Sequence, residues 1–368
     1  MNIEYTSLKR NFEIYQEEYE EAAFRVLRSG WYILGPELEK FEKKFAEYMG
    51  AKYCIGVNSG TDALILSLRA LGIGAGDEVI VPAGTYIASV LGITENGALP
   101  VYVDSNEFLL MDTEKIEEKI TEKTRAVLPV HLYGQPCNMS KIIDIAKRHN
   151  LRVIEDCAQC HGSTWNHKKA GIFGDIGCFS FYPTKPLGAL GDAGALITDS
   201  EEIADKLRKL RNYGSRIKYH NESIGVNSRL DEIQAALLSV GLEHLDDMNN
   251  IRLSIADRYL KKINNSRVKL PKIEECATNV FHIFPVIVDD QKKFQKYLFS
   301  RGVKSQIHYP IPPYVAECYK CQGHRWEDFP NAAYIATHEV SLPIYAGMPE
   351  DEVEYVVKVV NAYTNCVE

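Results

Sequence analysis

The sequence lacks a long apolar run, an excess of positive charge and any internal repeat. Among its 368 residues, no stretch approaches the roughly 18 apolar residues that a membrane helix needs. Acidic residues outnumber lysine and arginine by 50 to 42, which gives a net charge of −8. Nucleic-acid binding is therefore disfavoured as the main function, and any anionic ligand must meet a local cluster of donors.

A secretion signal is also missing from the sequence. Residues 1–5 have neither a basic nor an apolar region, so we expect no signal peptide and a soluble, cytoplasmic protein. The nine cysteines are then expected to stay reduced. Two CxxC spacings allow a zinc site, but small core residues are the favoured interpretation and no metal is predicted. These spacings are Cys157/Cys160 near His161 and Cys318/Cys321 near His324.

The length exceeds the usual limit for one hydrophobic core, which predicts a large domain over 1–245 and a smaller C-terminal domain over 246–368. In the large domain, strands alternate with helices, which is typical of an α/β fold with a mainly parallel sheet flanked by helices. The second resembles an α+β module. The predicted strands are 53–57, 78–82, 101–104, 126–133, 152–156, 178–182, 281–288 and 304–309. The predicted helices are 12–28, 36–49, 63–71, 140–149, 201–212, 232–245, 291–301 and 351–363.

The stretch GDIGCFSFYPTKPLGALGDAG at 174–194 carries Lys185 just beyond a predicted strand. Flanking prolines stiffen the backbone on one side, and a glycine-dense loop leaves the lysine approachable on the other. This setting suits an amine held at one point, as Schiff-base chemistry requires. A solvated loop lysine is the common alternative for a single lysine, so the interpretation depends on other motifs.

Two motifs suit an anion and a planar ring. Ser59, Gly60 and Thr61 stand between a strand and a helix, where backbone N–H groups and a hydroxyl can bind a phosphate. An ordinary helix cap is the alternative. Tyr86 opens the next helix at the carboxyl ends of the strands, where an aromatic ring can cover a planar cofactor or simply pack.

Asp156 ends the strand predicted over 152–156, at the edge where open α/β sheets bind ligands. A carboxylate there can hold a pyridine nitrogen protonated, which makes the ring an electron sink. A capping or metal-binding role is the alternative. Gln159 and His161 follow closely enough to contact the same ring.

These motifs, in this order, resemble the fold-type I pyridoxal-phosphate enzymes, and specifically the DegT/DnrJ/EryC1/StrS family of sugar aminotransferases. The resemblance covers nearly the whole chain. It implies an α/β, aminotransferase-like large domain and a smaller α+β domain. The matching phrases are NSGTDAL (58–64), PVHLYGQP (129–136), IEDCAQCHG (154–162), FSFYPTKPLGALGDAG (179–194), LRNYGS (210–215) and GVNSRLDEIQAA (225–236).

The resemblance implies that pyridoxal 5'-phosphate is the cofactor and that Lys185 forms the Schiff base with it. Asp156 would pair with the pyridine nitrogen, Gln159 would hydrogen-bond the ring hydroxyl, and Tyr86 would cover the ring. A homodimer with shared active sites is implied too, because part of the phosphate site comes from the other subunit. The implied phosphate-binding residues are Gly60, Thr61, Ser180 and, from the other subunit, Asn227.

The resemblance further implies L-glutamate as the amino donor and a pyridoxamine phosphate stage in the cycle. Lys185 separates the chain from the dehydratase branch of the family, which has a histidine there. The run LGALGDAG (187–194) resembles the 3-aminotransferases of dTDP-3-keto-6-deoxyhexoses, whereas C4 enzymes usually have an EGG-type loop. The implied product is dTDP-3-amino-3,6-dideoxy-glucose or -galactose, used in glycan or O-antigen biosynthesis.

Alternatives are a C4 aminotransferase, a 3-aminotransferase of a UDP-3-keto sugar, and a PLP-binding regulatory protein. Pro186 follows the lysine, where asparagine is more usual in the family, and related enzymes for UDP-3-keto sugars have a similar sequence around the lysine. These two features keep the alternatives open. The intact set of cofactor residues disfavours a regulator. Position between the motifs predicts the residues that contact the sugar nucleotide, and they are Tyr182, Lys218, Tyr219, His308 and Tyr309.

Overall fold

A computed structural model describes residues 1–364 of the chain, so residues 365–368 of the predicted C-terminal domain lie outside the described residues. The strands are β1 Tyr53–Val57, β2 Glu78–Pro82, β3 Leu99–Val103, β4 Thr124–Val127, β5 Arg152–Asp156, β6 Thr164–Trp165, β7 Lys168–Lys169, β8 Ile176–Ser180, β9 Gly194–Thr198, β10 Ser215–Ile217, β11 His220–Asn221, β12 Val268–Lys269, β13 Phe284–Val288 and β14 Glu339–Leu342.

The α-helices surround these strands. They are α1 Leu8–Glu13, α2 Gln16–Ser29, α3 Pro36–Met49, α4 Gly60–Ala70, α5 Ile87–Thr94, α6 Met139–His149, α7 Glu201–Leu210, α8 Glu232–Glu243, α9 Leu245–Lys262, α10 Gln291–Ser300, α11 Pro330–His338 and α12 Glu350–Asn361. Within residues 1–364, none of them is long and apolar enough to cross a membrane.

Seven strands form the central sheet, in the order β1-β9-β8-β5-β4-β2-β3. Neighbours from β8 to β3 pair in parallel, whereas β9 runs antiparallel to both β8 and β1. The strands are nearly continuous apolar runs because helices cover both faces. The predicted α/β fold with a mainly parallel sheet is confirmed.

The carboxyl ends of β1, β2, β5 and β8 meet at one edge of this sheet. β5 ends at Asp156, β8 ends at Ser180, and the loop at 58–60 follows β1. Because β9 runs antiparallel, it starts at the same edge, where its Gly194 pairs with Ser180. The topology therefore gathers the sequence motifs at one place.

Several predicted elements differ from the structure. The helix predicted over 12–28 is broken at Tyr15, which leaves helical geometry and stacks its ring on His244 at 3.6 Å between centroids. The strand predicted over 126–133 ends at Val127 and is followed by a 3-10 turn in which Tyr133 has a positive φ of 60°. The strand predicted over 178–182 ends two residues early, because Phe181 and Tyr182 turn into the lysine loop.

The C-terminal part contains a three-stranded antiparallel sheet in the order β12-β13-β14. The strand predicted over 304–309 is wrong, since Gln306 forms only an isolated bridge to Ser341 of β14. Helix α9 was not predicted, and its Ile255 and Tyr259 pack into a core shared with β13 and β14. Ile3 joins the same core. The division near residue 245 stays a prediction.

One buried carboxylate ties α3 to α8. Glu232, in the first turn of α8, accepts hydrogen bonds from the backbone N–H groups of Gly35 (2.8 Å), Glu37 (2.9 Å) and Leu38 (3.0 Å). These donors begin α3, so they have no acceptor inside that helix. Glu232 thus supplies the N-terminal cap of a distant helix.

Glu232→Ala is expected to lower the free energy of unfolding by about 3 kcal/mol, because it leaves three backbone donors, two buried and one half-buried, without an acceptor. Chemical denaturation would measure the change. Glu39→Ala, on the exposed side of α3, serves as the control and should change stability by less than about 0.5 kcal/mol. Equal losses in the two variants would contradict the capping role.

Candidate active site

Lys185 lies in the loop between β8 and β9, half-buried at the edge where the strands end. The loop is held by two backbone hydrogen bonds, from Lys185 N–H to the Tyr182 carbonyl and from Ala189 N–H to the Phe181 carbonyl, both 2.8 Å. Burial lowers the pKa of Lys185 to about 8, although the negative charge of Asp156 acts in the opposite direction. The amine is therefore easily deprotonated near neutral pH, unlike that of a solvated loop lysine.

Asp156 is buried at the end of β5, and two donors hold its carboxyl group. Ser89 Oγ donates to one oxygen at 2.7 Å, and the backbone N–H of Ala158 donates to the other at 3.1 Å. Burial raises the pKa of Asp156, while these two hydrogen bonds and the charge of Lys185 lower it. The two hydrogen-bond donors therefore favour the ionised form of the Asp156 carboxyl group although it is buried.

Gln159 joins the aromatic residues of the site. Its side-chain oxygen accepts from the backbone N–H of Tyr133 at 2.6 Å, and its amide nitrogen donates to the Tyr309 hydroxyl at 3.0 Å. The Tyr309 ring lies 5.0 Å from the half-exposed ring of Tyr86. The structure therefore brings together Gln159, Tyr86 and Tyr309, which are far apart in the sequence.

Gly60 and Ser180 are in close contact at the start of α4. A Cβ atom added to Gly60 would come within 2.5 Å of the Ser180 Cβ, and one added to Gly194 would come within 2.4 Å of the Ser59 backbone. Ser59 caps the helix by accepting from the Asp62 N–H at 3.0 Å. The first N–H groups of α4 therefore point out of the helix beside the Ser180 hydroxyl, as an anion site requires.

Asn227 is exposed, while its neighbour Ser228 is buried. The Ser228 hydroxyl donates to Asp62 at 2.6 Å and accepts from the Asn58 N–H at 3.1 Å. The segment that carries Asn227 is thus attached to the glycine loop of its own chain.

His308 lies half-buried on the loop that leads to Tyr309. Its Nδ1 atom is 2.8 Å from Ser341 Oγ, its backbone N–H donates to Glu339 at 2.7 Å, and its carbonyl accepts from the Tyr133 hydroxyl at 2.5 Å. Burial, with a smaller contribution from the charge of Lys185, lowers the pKa of His308 to about 4. The imidazole is therefore neutral at physiological pH.

Of the remaining predicted substrate residues, Lys218 and Tyr219 lie apart from this group, whereas Tyr182 lies beside Lys185 and Ser180. Lys218 and Tyr219 form the tip of the β10–β11 hairpin, where the Lys218 amine is 5.1 Å from the Tyr219 ring. Over residues 1–364, neither shares a hydrogen bond, ion pair or ring contact with the residues around Lys185. Tyr182 is half-exposed, and its backbone N–H donates to Ser180 Oγ at 3.3 Å.

Three residues of the site were not predicted: Ser89, Tyr133 and Glu339. Ser89 lies three residues beyond Tyr86 in α5, and that spacing is the one signal that could have identified it. Tyr133 bridges Gln159 and His308, and Glu339 accepts from the His308 backbone. These contacts join residues 26 to 175 positions apart, which no local motif encodes.

Within residues 1–364, the cysteines are free. Cys157, Cys160 and His131 lie close enough to share a metal ion. Both ring nitrogens of His131 are already used, however, by Glu155 at 3.0 Å and by the Cys137 N–H at 3.1 Å. Burial raises the pKa of both thiols. The geometry favours core residues, and the absence of a metal stays a prediction.

The histidines near the two CxxC spacings pack against aromatic rings, and His324 also lies 3.6 Å from the Asp328 carboxylate. His161 is fully buried against the rings of Phe179 and Phe181, and burial lowers its pKa to about 3. His324 packs against Tyr102 and Phe329. Neither histidine makes a ring contact with Tyr86 or Tyr309, but His161 lies close enough to the backbone of Ser180 and to Lys185 for both to act on its pKa, and the charge of the amine lowers that pKa further.

Comparison with known proteins identifies the family. The model of the DegT/DnrJ/EryC1/StrS aminotransferase family matches residues 13–361. A dTDP-3-amino-3,6-dideoxy-alpha-D-galactopyranose transaminase of Aneurinibacillus thermoaerophilus is 52% identical over 353 residues, which are 95% of this chain and 96% of that protein.

Two solved structures share the fold. DesV of S. venezuelae, in complex with a ketimine intermediate, superposes with a TM-score of 0.97 at 42% identity and covers 100% of both chains. NtdA of Bacillus subtilis, with bound cofactor PMP, has a TM-score of 0.89 at 33% identity and covers 98% of this chain and 84% of its own.

The match extends over the glycine loop, the strand-end aspartate and the lysine loop alike, and it confirms the resemblance inferred from the motifs. The chain belongs to the DegT/DnrJ/EryC1/StrS aminotransferase family.

Proposed function

We propose that this chain is a pyridoxal-phosphate-dependent aminotransferase that moves an amino group from L-glutamate to the C3 keto carbon of a dTDP-3-keto-6-deoxyhexose. The observation that carries the proposal is the Lys185 amine, of lowered pKa, beside the buried carboxyl of Asp156. The activity of the Aneurinibacillus relative supports the choice of C3 and of a dTDP-sugar. The product is dTDP-3-amino-3,6-dideoxy-galactose or its glucose epimer.

The residues present fit the cofactor. The contact between Gly60 and Ser180 leaves room for no side chain on the glycine, so the N–H groups of Gly60 and Thr61 and the Ser180 hydroxyl would hold the phosphate. Asp156 would hold the pyridine nitrogen, and Gln159 the ring hydroxyl. Tyr86, whose half-exposed ring stands at the same edge, would cover the ring face.

Pyridoxal phosphate, when bound, supplies the electron sink that allows a proton to leave the carbon next to the amine. The Lys185 Nζ atom would take this proton and return it, and its pKa of about 8 suits both directions near neutral pH. The Asp156 carboxylate, held by Ser89 and Ala158, would keep the ring nitrogen protonated. Lys185 would thus transfer the proton and Asp156 would hold the ring nitrogen protonated, and the surroundings of each side chain favour that role.

The sugar nucleotide would enter past the exposed residues of the site. The half-exposed Tyr182 and Tyr86 would stand at the entrance, and His308 and Tyr309 would line its C-terminal side. Lys218 and Tyr219, at the hairpin tip, would reach the diphosphate of a sugar bound to a neighbouring subunit. We propose a homodimer in which Asn227 likewise serves the neighbouring phosphate site, since both stretches are exposed in the single chain.

The choice of keto carbon is tested by a visible-absorbance titration. The protein is first converted to its pyridoxamine form with L-glutamate, and 3-keto and 4-keto dTDP-6-deoxy sugars are then added separately. We expect the absorbance of the pyridoxal form to return only with the 3-keto sugar. Its return only with the 4-keto sugar would assign the chain to the C4 enzymes, and a response only to a UDP-3-keto sugar would change the nucleotide.

Ser89→Ala is expected to slow the reaction with L-glutamate by at least about tenfold at pH 7. Ser89 donates to the ionised form of Asp156, so its loss raises the pKa of Asp156 and moves the acid limb of the pH profile to higher pH. Stopped-flow absorbance from pH 5 to 9 measures both effects. Ser67→Ala, which removes a buried hydroxyl in α4, is the control and should keep the wild-type profile.

Mixing two inactive variants tests the shared site. Lys185→Ala and Asn227→Asp should each lose at least about 100-fold in turnover, the first through loss of proton transfer and the second through repulsion of the phosphate. After subunit exchange at equal concentration, half of the dimers carry one intact site, so about a quarter of the wild-type activity should return. No recovery, with exchange verified by mass spectrometry of differently tagged subunits, would place Asn227 in its own chain's site.

A further inference from the structure

Glu339 is a fully buried acid beside the substrate side of the site, and neither the motifs nor the proposed reaction uses it. It begins β14. One carboxyl oxygen accepts from the backbone N–H of His308 at 2.7 Å, and the other accepts from the Ser341 hydroxyl. Within residues 1–364, no lysine or arginine forms an ion pair with it. Burial raises the pKa of Glu339 to about 8.

Ser341 connects this carboxyl group to the imidazole of His308, because its Oγ atom is also 2.8 Å from His308 Nδ1. The three side chains therefore form a continuous chain of hydrogen bonds from Glu339 to His308. Burial lowers the pKa of His308 to about 4, so the ring stays neutral whenever Glu339 titrates. A neutral imidazole carries one proton, on either Nδ1 or Nε2.

The other titratable groups around Glu339 are phenols from three different segments. Tyr5 belongs to the N-terminal segment, Tyr133 to the turn after β4, and Tyr309 to the loop after His308. Burial raises the pKa of all three, so they remain neutral in the same pH range. The carboxyl group is therefore the one member of this cluster that changes charge near pH 8, and Lys185, whose charge acts on His308, is the neighbouring group outside the cluster that titrates in the same range.

The single proton of the serine hydroxyl links the state of Glu339 to that of His308. When Glu339 is ionised, Ser341 donates to it and accepts from Nδ1–H, which leaves Nε2 without a proton. When Glu339 takes up one proton from solvent, its O–H donates to Ser341. Ser341 then donates to Nδ1, and the ring proton resides on Nε2. The ring stays neutral throughout, and one proton in total is gained.

We propose that Glu339 is a positioning residue that selects the tautomer of His308 through Ser341, and that the form with a proton on Nε2 recognises the keto sugar nucleotide. Keto and diphosphate oxygens accept hydrogen bonds but cannot donate them, so they require a donor. This inference rests on the proposed function for its substrate. The role of Glu339 is to orient the donor, not to touch the substrate.

The KM for the keto sugar should rise about tenfold between pH 7 and pH 9 in the wild-type holoenzyme, since one tenth of the molecules keep the donor form one pH unit above the pKa of Glu339. Glu339→Gln places a permanent donor against Ser341, so its KM should change less than about twofold. The glutamate half-reaction shares Lys185 but not this relay, and its pH profile should be the same in both proteins.

Two further variants separate the relay from general effects. Ser341→Ala cuts the link and should abolish the rise in KM although Glu339 is present. Glu352→Gln is the matched control, because Glu352 is a second buried acid of the C-terminal part that bonds Arg10 and Tyr345 outside the relay. Glu352→Gln should show the same rise in KM as the wild type. A tenfold rise in KM between pH 7 and pH 9 in Glu339→Gln, or no rise in the wild type, would overturn the proposal.

A second measurement needs no turnover. In holoenzyme labelled with 15N-histidine, the His308 signals, identified by their loss in His308→Gln, should report a proton on Nε2 at pH 7 and on Nδ1 at pH 9. Glu339→Gln should hold the Nε2 form throughout. If the tautomer of His308 does not change with pH in the wild type, the relay is refuted, even if the keto sugar proves not to be the substrate. A failed sugar reaction with the expected tautomers would refute only the proposed function.

Discussion

The site depends on one buried carboxyl group whose hydrogen bonds favour its ionised form. Asp156 is 5% exposed, and burial raises its pKa. Two hydrogen bonds, from a helix that follows β2 and from the turn after β5, oppose this tendency. On Lys185 burial acts in the opposite direction and lowers the pKa of the amine to about 8. The same burial therefore makes the acid easier to protonate and the amine easier to deprotonate, and the two are suited to different tasks.

The sequence allowed the prediction of most of the fold and pointed to several residues of the candidate site. Strands such as Tyr53–Val57 and Glu78–Pro82 were predicted at their observed bounds because they are short apolar runs between turn residues. Asp156, Lys185 and Gly60 could be identified because each follows or precedes a strand, and strand ends converge at one edge. Local pattern and topology together were sufficient for these residues.

What could not be predicted depends on contacts between distant segments. Tyr133 has a positive φ and makes three long-range hydrogen bonds, with Gln159, His308 and Ile283, none of which a local motif encodes. Glu339 reads as the start of an ordinary strand, and its role follows from the loop at 306–309 packing against it. The mistaken strand at 304–309 has the same origin, because that segment is held by side chains rather than by a ladder of backbone bonds.

The attachment of Ser228 to Asp62 and Asn58 has a consequence for the assembled enzyme. In the proposed homodimer, Asn227 would reach the neighbouring subunit from a segment that is hydrogen-bonded to the loop proposed to hold the phosphate of its own cofactor. A shift of that loop when cofactor binds would therefore also shift Asn227. The affinity of one subunit for cofactor would then depend on whether the other subunit is loaded.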